Sequence, residues 1–448
     1  MTTDTIAALA TSRGRGAIAI VRLSGPDSLA IAKKITKKAN FTPRVATLTT
    51  LKDREGELID EALVIYFENP KSFTGEDIVE FQLHGGDAVA MLLIDELLAH
   101  GARAAEAGEF SKRAFLNGKI DLTKAEAIAK LIDAKSKESA RLLAKQLKGD
   151  LKQFVDAQRD ELVRILAHSE VMIDYADEEL PDDLLKNLED SLMALRDGLL
   201  KTKESSRNRD GFFTGYKVAI VGKPNVGKSS LLNALLAFER AIVSDIEGTT
   251  RDTIEENIIL GTHTIRIVDT AGIRRSDDAI EAIGIGYSKK MIEESDIIIG
   301  LFDSSRECDE NDEEIISLIK KAQEEKPLVV ALNKTDLSAR FDETKLEGFA
   351  TVRISCKGEI DRLKGAIIDI LDGMHDSSEQ ILISKRQIDM VEKTVQSIED
   401  SIDPLRRGEL EIFSFYINEA IGHISAISRP YEHSQMLDEM FGNFCLGK

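Results

Sequence analysis

The sequence predicts a multidomain α/β and α protein: an N-terminal α/β domain, a discontinuous helical domain, and a doubly wound α/β domain inserted into the helical one. The chain has 448 residues, and at about 150 residues per domain this predicts about three domains. Strand and helix patterns mix in residues 1–118 and alternate in 211–373, whereas residues 119–210 and 374–448 carry apolar residues at helical spacing. Because neither helical stretch can bury its apolar stripe alone, we expect the two to pack together.

The composition is typical of a soluble globular protein and argues against several functions. Apolar residues make up 42% and charged residues 31%. With 59 Lys and Arg against 79 Asp and Glu, the net charge is 59 − 79 = −20, which disfavours non-specific binding to nucleic acid or anionic lipid. Aromatic residues are only 5% and Trp is absent, so a broad base-stacking platform is not expected.

Targeting and redox signals favour a cytoplasmic location without a membrane span. The N-terminus has neither a signal peptide nor a transit peptide, and no run reaches the roughly 18 apolar residues of a span. Cys308, Cys356 and Cys445 form no C-x-x-C pair, so a zinc site or disulfide framework is not expected. The terminal Cys445–Lys448 resembles a prenylation box, but Lys is the wrong last residue.

The elements of the first two domains follow from short apolar patterns. Strands are predicted at 16–23, 61–67 and 78–84, with helices at 28–37 and 87–100. The helical stretch includes leucines at steps of three or four from Leu184 to Leu199. Before these leucines lies an acidic run, which we interpret as a solvated loop, with a divalent-metal site as the alternative: Asp174, Asp177, Glu178, Glu179, Asp182 and Asp183.

The inserted domain alternates strands with helices, which predicts a parallel sheet covered by helices on both faces. The predicted strands are Tyr216–Val221, Thr264–Val268, Asp296–Phe302, Leu328–Leu332 and Thr351–Ile354.

The strongest motif in the chain is a phosphate loop at Gly222–Ser229, which matches G-x-x-x-x-G-K-[ST] between a predicted strand and the helix Ser230–Leu236. Its glycines let backbone N–H groups surround phosphates. Lys228 is expected to reach the β- and γ-phosphates, and the Ser229 hydroxyl to hold Mg²⁺.

Three later motifs complete a nucleotide site. Asp269–Gly272 places an acid near the metal, Asn333–Asp336 offers a carboxylate to the guanine N1–H and amine, and Ser355–Lys357 would back the base. These spacings resemble those of the translation-factor-like GTPase superfamily, which implies GTP rather than ATP and a Ras-like sheet. The expected GTP contacts are Asn225, Val226, Gly227, Lys228, Ser229, Ser230, Ser244, Asp245, Ile246, Glu247, Gly248, Thr249, Asp269, Thr270, Ala271, Gly272, Asn333, Lys334, Asp336 and Ser355.

The switch segment Gly248–Asp252 contains Thr250, which by resemblance closes on Mg²⁺ when the γ-phosphate is present. The residue after the D-x-x-G motif is Ile273, where Ras-type proteins have a water-orienting Gln. A cation held by oxygens of Asn225, Ser244, Ile246 and Thr249 could neutralise the phosphate charge instead. An acid for the water is available downstream at Glu281, Asp277 or Asp278, which the spacing alone does not separate.

Motifs spread along the whole chain resemble the MnmE (also called TrmE) family of bacterial and organellar tRNA modification GTPases. Besides the GTPase motifs, they are Gly14–Gly16, Ser72–Asp77, His84–Gly86, Gly108–Ser111, Leu116–Lys119 and Phe444–Lys448.

This resemblance implies an N-terminal domain similar to tetrahydrofolate-dependent aminomethyltransferases, which also forms the homodimer. Carried over by motif, Arg22, Glu80, Lys119 and Lys448 would contact a folate such as 5,10-methylene-tetrahydrofolate, and Cys445 lies beside Lys448. Arg22 and Lys119 are donors that suit the glutamate tail or ring of a folate.

The resemblance also implies the chemistry of hydrolysis and the partners. The bridging cation would be K⁺, held by Asn225, Ser244, Ile246 and Thr249, and Glu281 would orient the water; Lys228 and Thr250 complete the expected catalytic set. With a flavoprotein partner that carries FAD (MnmG, or GidA), the chain would add an aminomethyl or carboxymethylaminomethyl group to C5 of the wobble uridine of certain tRNAs. One alternative is an Era- or EngA-like ribosome assembly GTPase, and a weaker one is a folate-dependent transferase acting on a small molecule.

Overall fold

The computed structural model describes residues 4–134, 136–174, 182–207, 211, 213, 215–238, 256–267, 284–374, 382–429, 434–442, 444 and 447. The chain divides into two compact units: unit 1 is Met1–Ala129, Leu151–Leu185 and Gln396–Lys448, and unit 2 is Lys130–Asp150 and Lys186–Val395. The division concerns compactness alone, so the domain boundaries that we predict after residues 118, 210 and 373 stay predictions.

Helices are the most frequent element in the described part of the chain. They are α1 (Ser28–Thr36), α2 (Asp87–Ala99), α3 (Glu109–Leu116), α4 (Leu122–Asp133), α5 (Lys137–Leu147), α6 (Asp150–Asp174), α7 (Asp182–Arg207), α8 (Lys228–Phe238), α9 (Gly284–Glu294), α10 (Glu310–Ala322), α11 (Asp361–Gly373), α12 (Lys385–Arg407), α13 (Leu410–Ser425) and α14 (Ser434–Gly442). The helical pattern predicted for residues 119–210 and 374–448 is therefore confirmed in the described part of both stretches.

Unit 1 contains a six-stranded sheet of β1 (Ile6–Leu9), β2 (Ile18–Ser24), β3 (Thr47–Lys52), β4 (Leu58–Phe67), β5 (Ile78–His84) and β6 (Arg103–Ala104). The order across the sheet is β3-β4-β5-β2-β1-β6, antiparallel except for the parallel pair β1–β6. Arg22 and Glu80 are direct partners in the register of β2 and β5. Opposite charges on directly opposed residues attract, so the register itself brings this pair together.

One face of this sheet is covered throughout, whereas the other is buried around Ile6 and Ala8 of β1 and exposed on β3 and β4. Helices α1 and α2 pack on the covered face, where alternate residues such as Val21, Val64 and Phe81 are fully buried. On the opposite face Leu48 is 59% exposed and its cross-strand partner Leu63 is 40% exposed. The sheet therefore presents an apolar surface that unit 1 of this chain leaves uncovered at these positions.

The carboxy-terminal helix packs into unit 1. Phe441 of α14 joins Ala114 of α3 and Leu122 of α4 in one buried cluster. Gly108, at the start of α3, has φ +66° and lies so close to the Phe441 carbonyl oxygen that a Cβ there would clash. A glycine is therefore required at position 108 to bring the chain end against the N-terminal sheet.

Unit 2 contains a second six-stranded sheet with the order β12-β11-β10-β7-β9-β8. Its strands are β7 (Tyr216–Val221), β8 (Glu256–Leu260), β9 (His263–Ile267), β10 (Ile297–Asp303), β11 (Leu328–Asn333) and β12 (Thr351–Arg353). Every residue of β10 and β11 is buried, as expected for central strands covered on both faces. The carboxyl ends of β7 and β11, where ligands bind in doubly wound sheets, carry the two principal nucleotide motifs.

The sheet of unit 2 corrects one prediction. Five strands are parallel as predicted, but β8 runs antiparallel to β9 through a two-residue turn at Gly261 and Thr262. Gly261 has φ +61°, which this tight hairpin requires. The strands β1, β3 and β6 were also not predicted. Elsewhere the predicted strands and helices are confirmed, with ends that shift by a few residues.

Two further expectations concern membranes and metals. Within the described residues, no helix is long and apolar enough to cross a membrane. Three of the six residues of the acidic run, Asp177, Glu178 and Glu179, lie outside the described residues. In the part of the chain that is described, no group of three or more His, Cys, Asp or Glu is arranged to hold a metal.

Candidate functional site

The phosphate loop, Gly222–Ser229, joins the end of β7 to the start of α8, as the motif predicts. Two glycines are required by close contacts. A Cβ on Gly222 would clash with the Leu301 carbonyl oxygen, and one on Gly227 would clash with the Asn333 side chain. Gly227 also has φ +106°, and Asn225 adopts φ +64°. This backbone directs the first N–H groups of α8, which have no intrahelical partner, towards the place of a phosphate.

Lys228 lies across its own loop. Its Nζ donates to the carbonyl oxygens of Gly222 at 2.7 Å and Lys223 at 2.9 Å. Burial lowers the pKa of the Lys228 ammonium to about 8, because these neutral carbonyls do not compensate for the lost hydration. A phosphate group would supply the missing negative charge, so the site is electrostatically suited to an anion.

The second nucleotide motif is joined to the first by hydrogen bonds. Asn333, at the end of β11, donates from Nδ2 to the Val226 carbonyl at 2.8 Å. Lys334 donates to the Asn225 carbonyl at 2.9 Å and contacts Asp303 at 2.6 Å. Burial raises the pKa of Asp303, but hydrogen bonds from Lys334 and Ser305 outweigh this effect and lower it below its usual value. The structure thus brings together two motifs whose bonded residues are 107 and 109 positions apart in the sequence.

Asp336 presents an ionised carboxylate beside this junction. Lys357 Nζ and Ser355 Oγ each donate to it at 3.0 Å, and these bonds lower the pKa of Asp336. Ser355 therefore lies next to Asp336, the acid that the sequence predicts to recognise the base. The neighbouring Cys356 thiol is half-buried, and burial raises its pKa to about 11, so it is unreactive at neutral pH.

The remaining expected contacts in the nucleotide site differ in burial. Val226 is buried, Ser229 is half-buried in the first turn of α8, and Ser230 is exposed. The predicted residues that lie outside the described part of the chain are Ser244, Asp245, Ile246, Glu247, Gly248, Thr249, Thr250, Asp269, Thr270, Ala271, Gly272 and Glu281.

One residue of the loop was not assigned a role from the sequence. Lys223 is only 8% exposed, and its Nζ lies 2.6 Å from carboxylate oxygens of both Asp309 and Asp312, at the start of α10. Burial lowers the pKa of Lys223, but the hydrogen bonds that its ammonium donates to both carboxylates outweigh this effect and raise it. Its side chain therefore does not act as a free phosphate ligand; it connects the loop to α10.

In unit 1 the register pair Arg22 and Glu80 forms the centre of a second candidate site. Arg22 Nε and Nη2 lie 2.9 and 2.8 Å from Glu80 Oε1. The guanidinium also lies 5.7 Å from the ring centroids of both Phe73 and Phe110. Nη1 donates to the Gly447 carbonyl at 3.4 Å, so the penultimate residue of the chain reaches this cluster. Lys448 and Cys445 lie outside the described residues.

Lys119 lies beside the Ser72–Asp77 motif. Gly75 has φ +81°, and a Cβ there would lie 2.9 Å from Lys119 Cε. Asn117 Nδ2 donates to the Thr74 carbonyl at 2.8 Å, which joins the same two motifs. The Lys119 side chain is exposed, so its ammonium is available to an anionic ligand.

A buried arginine supports this second site. Arg113 is 2% exposed, and it contacts Asp4 at 2.9 Å, Glu109 at 2.9 Å and Glu76 at 3.3 Å. Glu76 also accepts from Ser24 Oγ at 2.8 Å. Sequence analysis assigns no role to Phe73, Phe110 or Arg113, because their contacts with Arg22, Glu76 and Asp4 join residues that are far apart in the sequence.

Two family models match the chain. A family model described as the TrmE N-terminus matches residues 5–119, and a model described as the MnmE helical domain matches residues 122–445. Together the two models cover almost the entire sequence.

Curated relatives match over their full length. A protein of Sulfurimonas denitrificans named tRNA modification GTPase MnmE is 55% identical over 448 residues, 100% of both chains. A protein of the same name from Aliarcobacter butzleri is 54% identical over 99% of both chains. The solved structure of Era in complex with MgGDPNP and nucleotides of 16S ribosomal RNA matches 41% of this chain and 66% of its own at 28% identity, with a TM-score of 0.27. The family models and full-length relatives confirm the resemblance: the chain belongs to the MnmE (TrmE) family of tRNA modification GTPases.

Proposed function

We propose that the chain couples GTP hydrolysis to modification of C5 of the wobble uridine in certain tRNAs, together with a FAD-dependent flavoprotein of the MnmG (GidA) type. The shared name of the relatives, tRNA modification GTPase, supports the tRNA substrate. The observation that carries the proposal is that one chain holds both a guanine-nucleotide site in unit 2 and, in unit 1, the Arg22–Glu80 cluster. The first site would hydrolyse GTP, and the second would hold a one-carbon donor.

The residues of the second cluster fit a folate. A folate supplies an activated one-carbon unit, and it combines a flat pterin, which donates through N–H groups, with an anionic glutamate tail. Both Arg22 contacts fall on Oε1 of Glu80, so we assign Oε2 to the pterin donors. Phe73 provides an aromatic surface beside the guanidinium, and Lys119 provides an exposed cation for the tail. Lys448 is assigned to the same site by resemblance.

Replacing Arg22 with alanine tests this assignment and the proposed function together. We expect folate affinity to fall on the order of 10²-fold, because a hydrogen bond to a charged group contributes about 1.5–3 kcal/mol. In a deletion strain complemented with Arg22→Ala, mass spectrometry of tRNA nucleosides should show unmodified wobble uridine, while GTP hydrolysis by the purified variant is retained.

Arg44→Ala is the matched control for Arg22→Ala, because Arg44 also lies over a phenyl ring, 5.8 Å from the Phe67 centroid, but outside the cluster. It should leave folate affinity and modification unchanged. Wild-type modification with Arg22→Ala would contradict the folate assignment. Wild-type modification in the uncomplemented deletion strain would contradict the proposed function and favour a transferase acting on a small molecule.

The exposed apolar residues on the second face of the unit 1 sheet support a homodimer. Leu48 and Leu63 are directly opposed on neighbouring strands, and both are exposed; Ile18 on β2 is 57% exposed. An apolar surface of this kind is typical of an interface. We therefore propose that this face meets the same face of a second copy, as the resemblance implies.

The proposed metal ions belong to the GTPase site. Ser229 is placed in the first turn of α8, where its hydroxyl would hold Mg²⁺, and Thr250 is the second proposed ligand. The Asn225 backbone oxygen accepts a bond from Lys334, so we assign its side-chain oxygen to K⁺. Ser244, Ile246 and Thr249 are the other proposed K⁺ ligands, and Glu281 is proposed to orient the attacking water.

GTP hydrolysis is expected to increase about tenfold or more when K⁺ replaces Na⁺ at equal ionic strength and saturating GTP, because the fitting cation stabilises charge between the phosphates. Asn225→Ala should remove most of this difference while its rate in Na⁺ stays near that of the wild type. Steady-state phosphate release measures both rates. Equal wild-type rates in the two salts would contradict the K⁺ assignment.

A ribosome assembly switch remains the alternative, and the same experiments separate the two functions. An Era- or EngA-like factor has no use for a folate, so Arg22→Ala would change neither folate binding nor cell function. The Arg22–Glu80 cluster, with its two phenyl rings, favours the modification function.

A further inference from the structure

Lys223 is a buried lysine within the phosphate loop. It lies between Gly222 and Pro224, yet its side chain is 8% exposed and its ammonium contacts Asp309 and Asp312, each at 2.6 Å. Asp309 is the N-cap of α10, and Asp312 reciprocates in a capping box. The Lys223 ammonium therefore pairs with the start of α10 rather than with the nucleotide.

Stability alone does not explain this buried ion pair. Asp312 is 1% exposed, and burial raises its pKa even though the contact with Lys223 opposes the shift. Its Oδ1 is buried and has no hydrogen-bond partner among the described residues. A buried ion pair is often no more stable than apolar side chains of similar volume, and an unsatisfied oxygen is a further cost. Another role for the pair is therefore needed.

The backbone of Lys223 gives that role. The carbonyl oxygens of Gly222 and Lys223 are the two acceptors that hold Lys228 Nζ. Any shift of the Lys223 backbone moves these acceptors and, with them, the starting position of the Lys228 ammonium. The ion pair fixes the first part of the loop, while Asn333 and Lys334 fix the carbonyls of Val226 and Asn225 further along.

We propose that Lys223 is a positioning residue for GTP hydrolysis: its ion pairs with Asp309 and Asp312 hold the first part of the phosphate loop so that Lys228 is presented to the β- and γ-phosphates. The end of β10 and the start of α10 then both support the loop. Asp303, the last residue of β10, holds Lys334, and Asp309 and Asp312 hold Lys223. The loop is thereby set by α10 as well as by its own glycines.

Steady-state GTP hydrolysis by Lys223→Met tests the proposal. This variant keeps the length of the side chain but removes its charge. We expect kcat/KM, normalised to the folded fraction, to fall roughly 10- to 100-fold, because small displacements of a catalytic group have effects of this order. Lys223→Arg, which can still pair with both carboxylates, should stay within about threefold of the wild type. An unchanged kcat/KM for Lys223→Met overturns the proposal.

A double variant separates positioning from stability. In Lys223→Met combined with Asp312→Leu, no buried charge is left unpaired, so the melting temperature should return towards that of the wild type. Positioning predicts that kcat/KM nevertheless stays low, whereas full recovery of kcat/KM would mean that the pair acts only on stability and overturns the proposal.

Two more variants complete the experiment. If neither Lys223→Met nor the double variant folds, Asp309→Asn takes their place, because it keeps the cap of α10 and weakens one contact of Lys223. A lower kcat/KM of Asp309→Asn supports the proposal, and an unchanged value overturns it. The matched control is Lys345→Met, which removes an exposed ion pair with Glu313 of the same helix, at 2.8 Å, but has no contact with the loop. Its kcat/KM should equal that of the wild type, and an equal loss there would overturn the assignment to Lys223.

Discussion

Replacing Lys228 with alanine is expected to lower kcat/KM for GTP hydrolysis by about 10²–10³-fold, the usual cost of removing a donor that stabilises charge on a reacting group. The structure gives the reason. The ammonium is buried, and among the described residues its hydrogen bonds go to the neutral carbonyls of Gly222 and Lys223. Phosphate oxygens would replace these neutral acceptors with charged ones, so Lys228 would interact more strongly with bound GTP than with the carbonyls of its own loop.

The pH dependence of hydrolysis follows from the same burial. Burial lowers the pKa of Lys228 to about 8, and bound phosphates favour the protonated form. GTP binding above this pH must therefore take up a proton, and kcat/KM should decline as pH rises through about 8. Lys228→Arg stays charged throughout this range and should flatten the decline. A wild-type profile that is flat from pH 7 to 9.5 would show that Lys228 is already charged in the free protein.

Lys326→Ala is a matched control for Lys228→Ala. Lys326 Nζ is also held by backbone carbonyls, those of Ile292, Glu293 and Ser295. Lys326 precedes β11, however, at the amino ends of the parallel strands, whereas the phosphate loop follows the carboxyl end of β7. Its replacement should lower the melting temperature and leave kcat/KM unchanged. If both variants lost activity equally, the effect of Lys228→Ala would be one of folding rather than of phosphate binding.

The parts of the nucleotide site that could be predicted are those encoded by neighbouring residues. The loop Gly222–Ser229 is recognisable because its glycines and Lys228 act within one turn between a strand and a helix. Asp336 is recognisable because it belongs to a short motif at a strand end. These are local requirements of backbone geometry and chemistry, so a single sequence displays them.

What the sequence did not show depends on contacts between distant residues. Lys223 and Asp312 are 89 positions apart, and Arg22 and Gly447 are 425 apart, so no local spacing indicates either contact. The strand β6 has only two residues and exists because β1 offers it a partner. The antiparallel direction of β8 depends on the turn at Gly261, which the pattern of apolar residues does not reveal.

Replacing Asp336 with asparagine is expected to exchange the base preference of the nucleotide site. The Asp336 carboxylate is kept ionised by Lys357 and Ser355, which lower its pKa, and two acceptor oxygens match the N1–H and exocyclic amine of guanine. An asparagine amide would place a donor against the guanine amine. GTP affinity should fall on the order of 10²-fold or more, because hydrogen bonds to a charged group contribute about 1.5–3 kcal/mol each.

Xanthosine triphosphate distinguishes base recognition from a loss of local order. Xanthine carries a carbonyl oxygen where guanine carries the amine, so the asparagine amide can donate to it and affinity for this nucleotide should rise. Competition binding of the two nucleotides measures their ratio, which a general loosening of the β11–α11 region would not invert because it lowers both affinities. Asp342→Asn, at another exposed aspartate that accepts from Thr344, is the control and should leave the ratio unchanged. If Asp336→Asn kept its preference for GTP, the carboxylate would not be the group that reads the base, and recognition would fall instead to the backbone around Ser355.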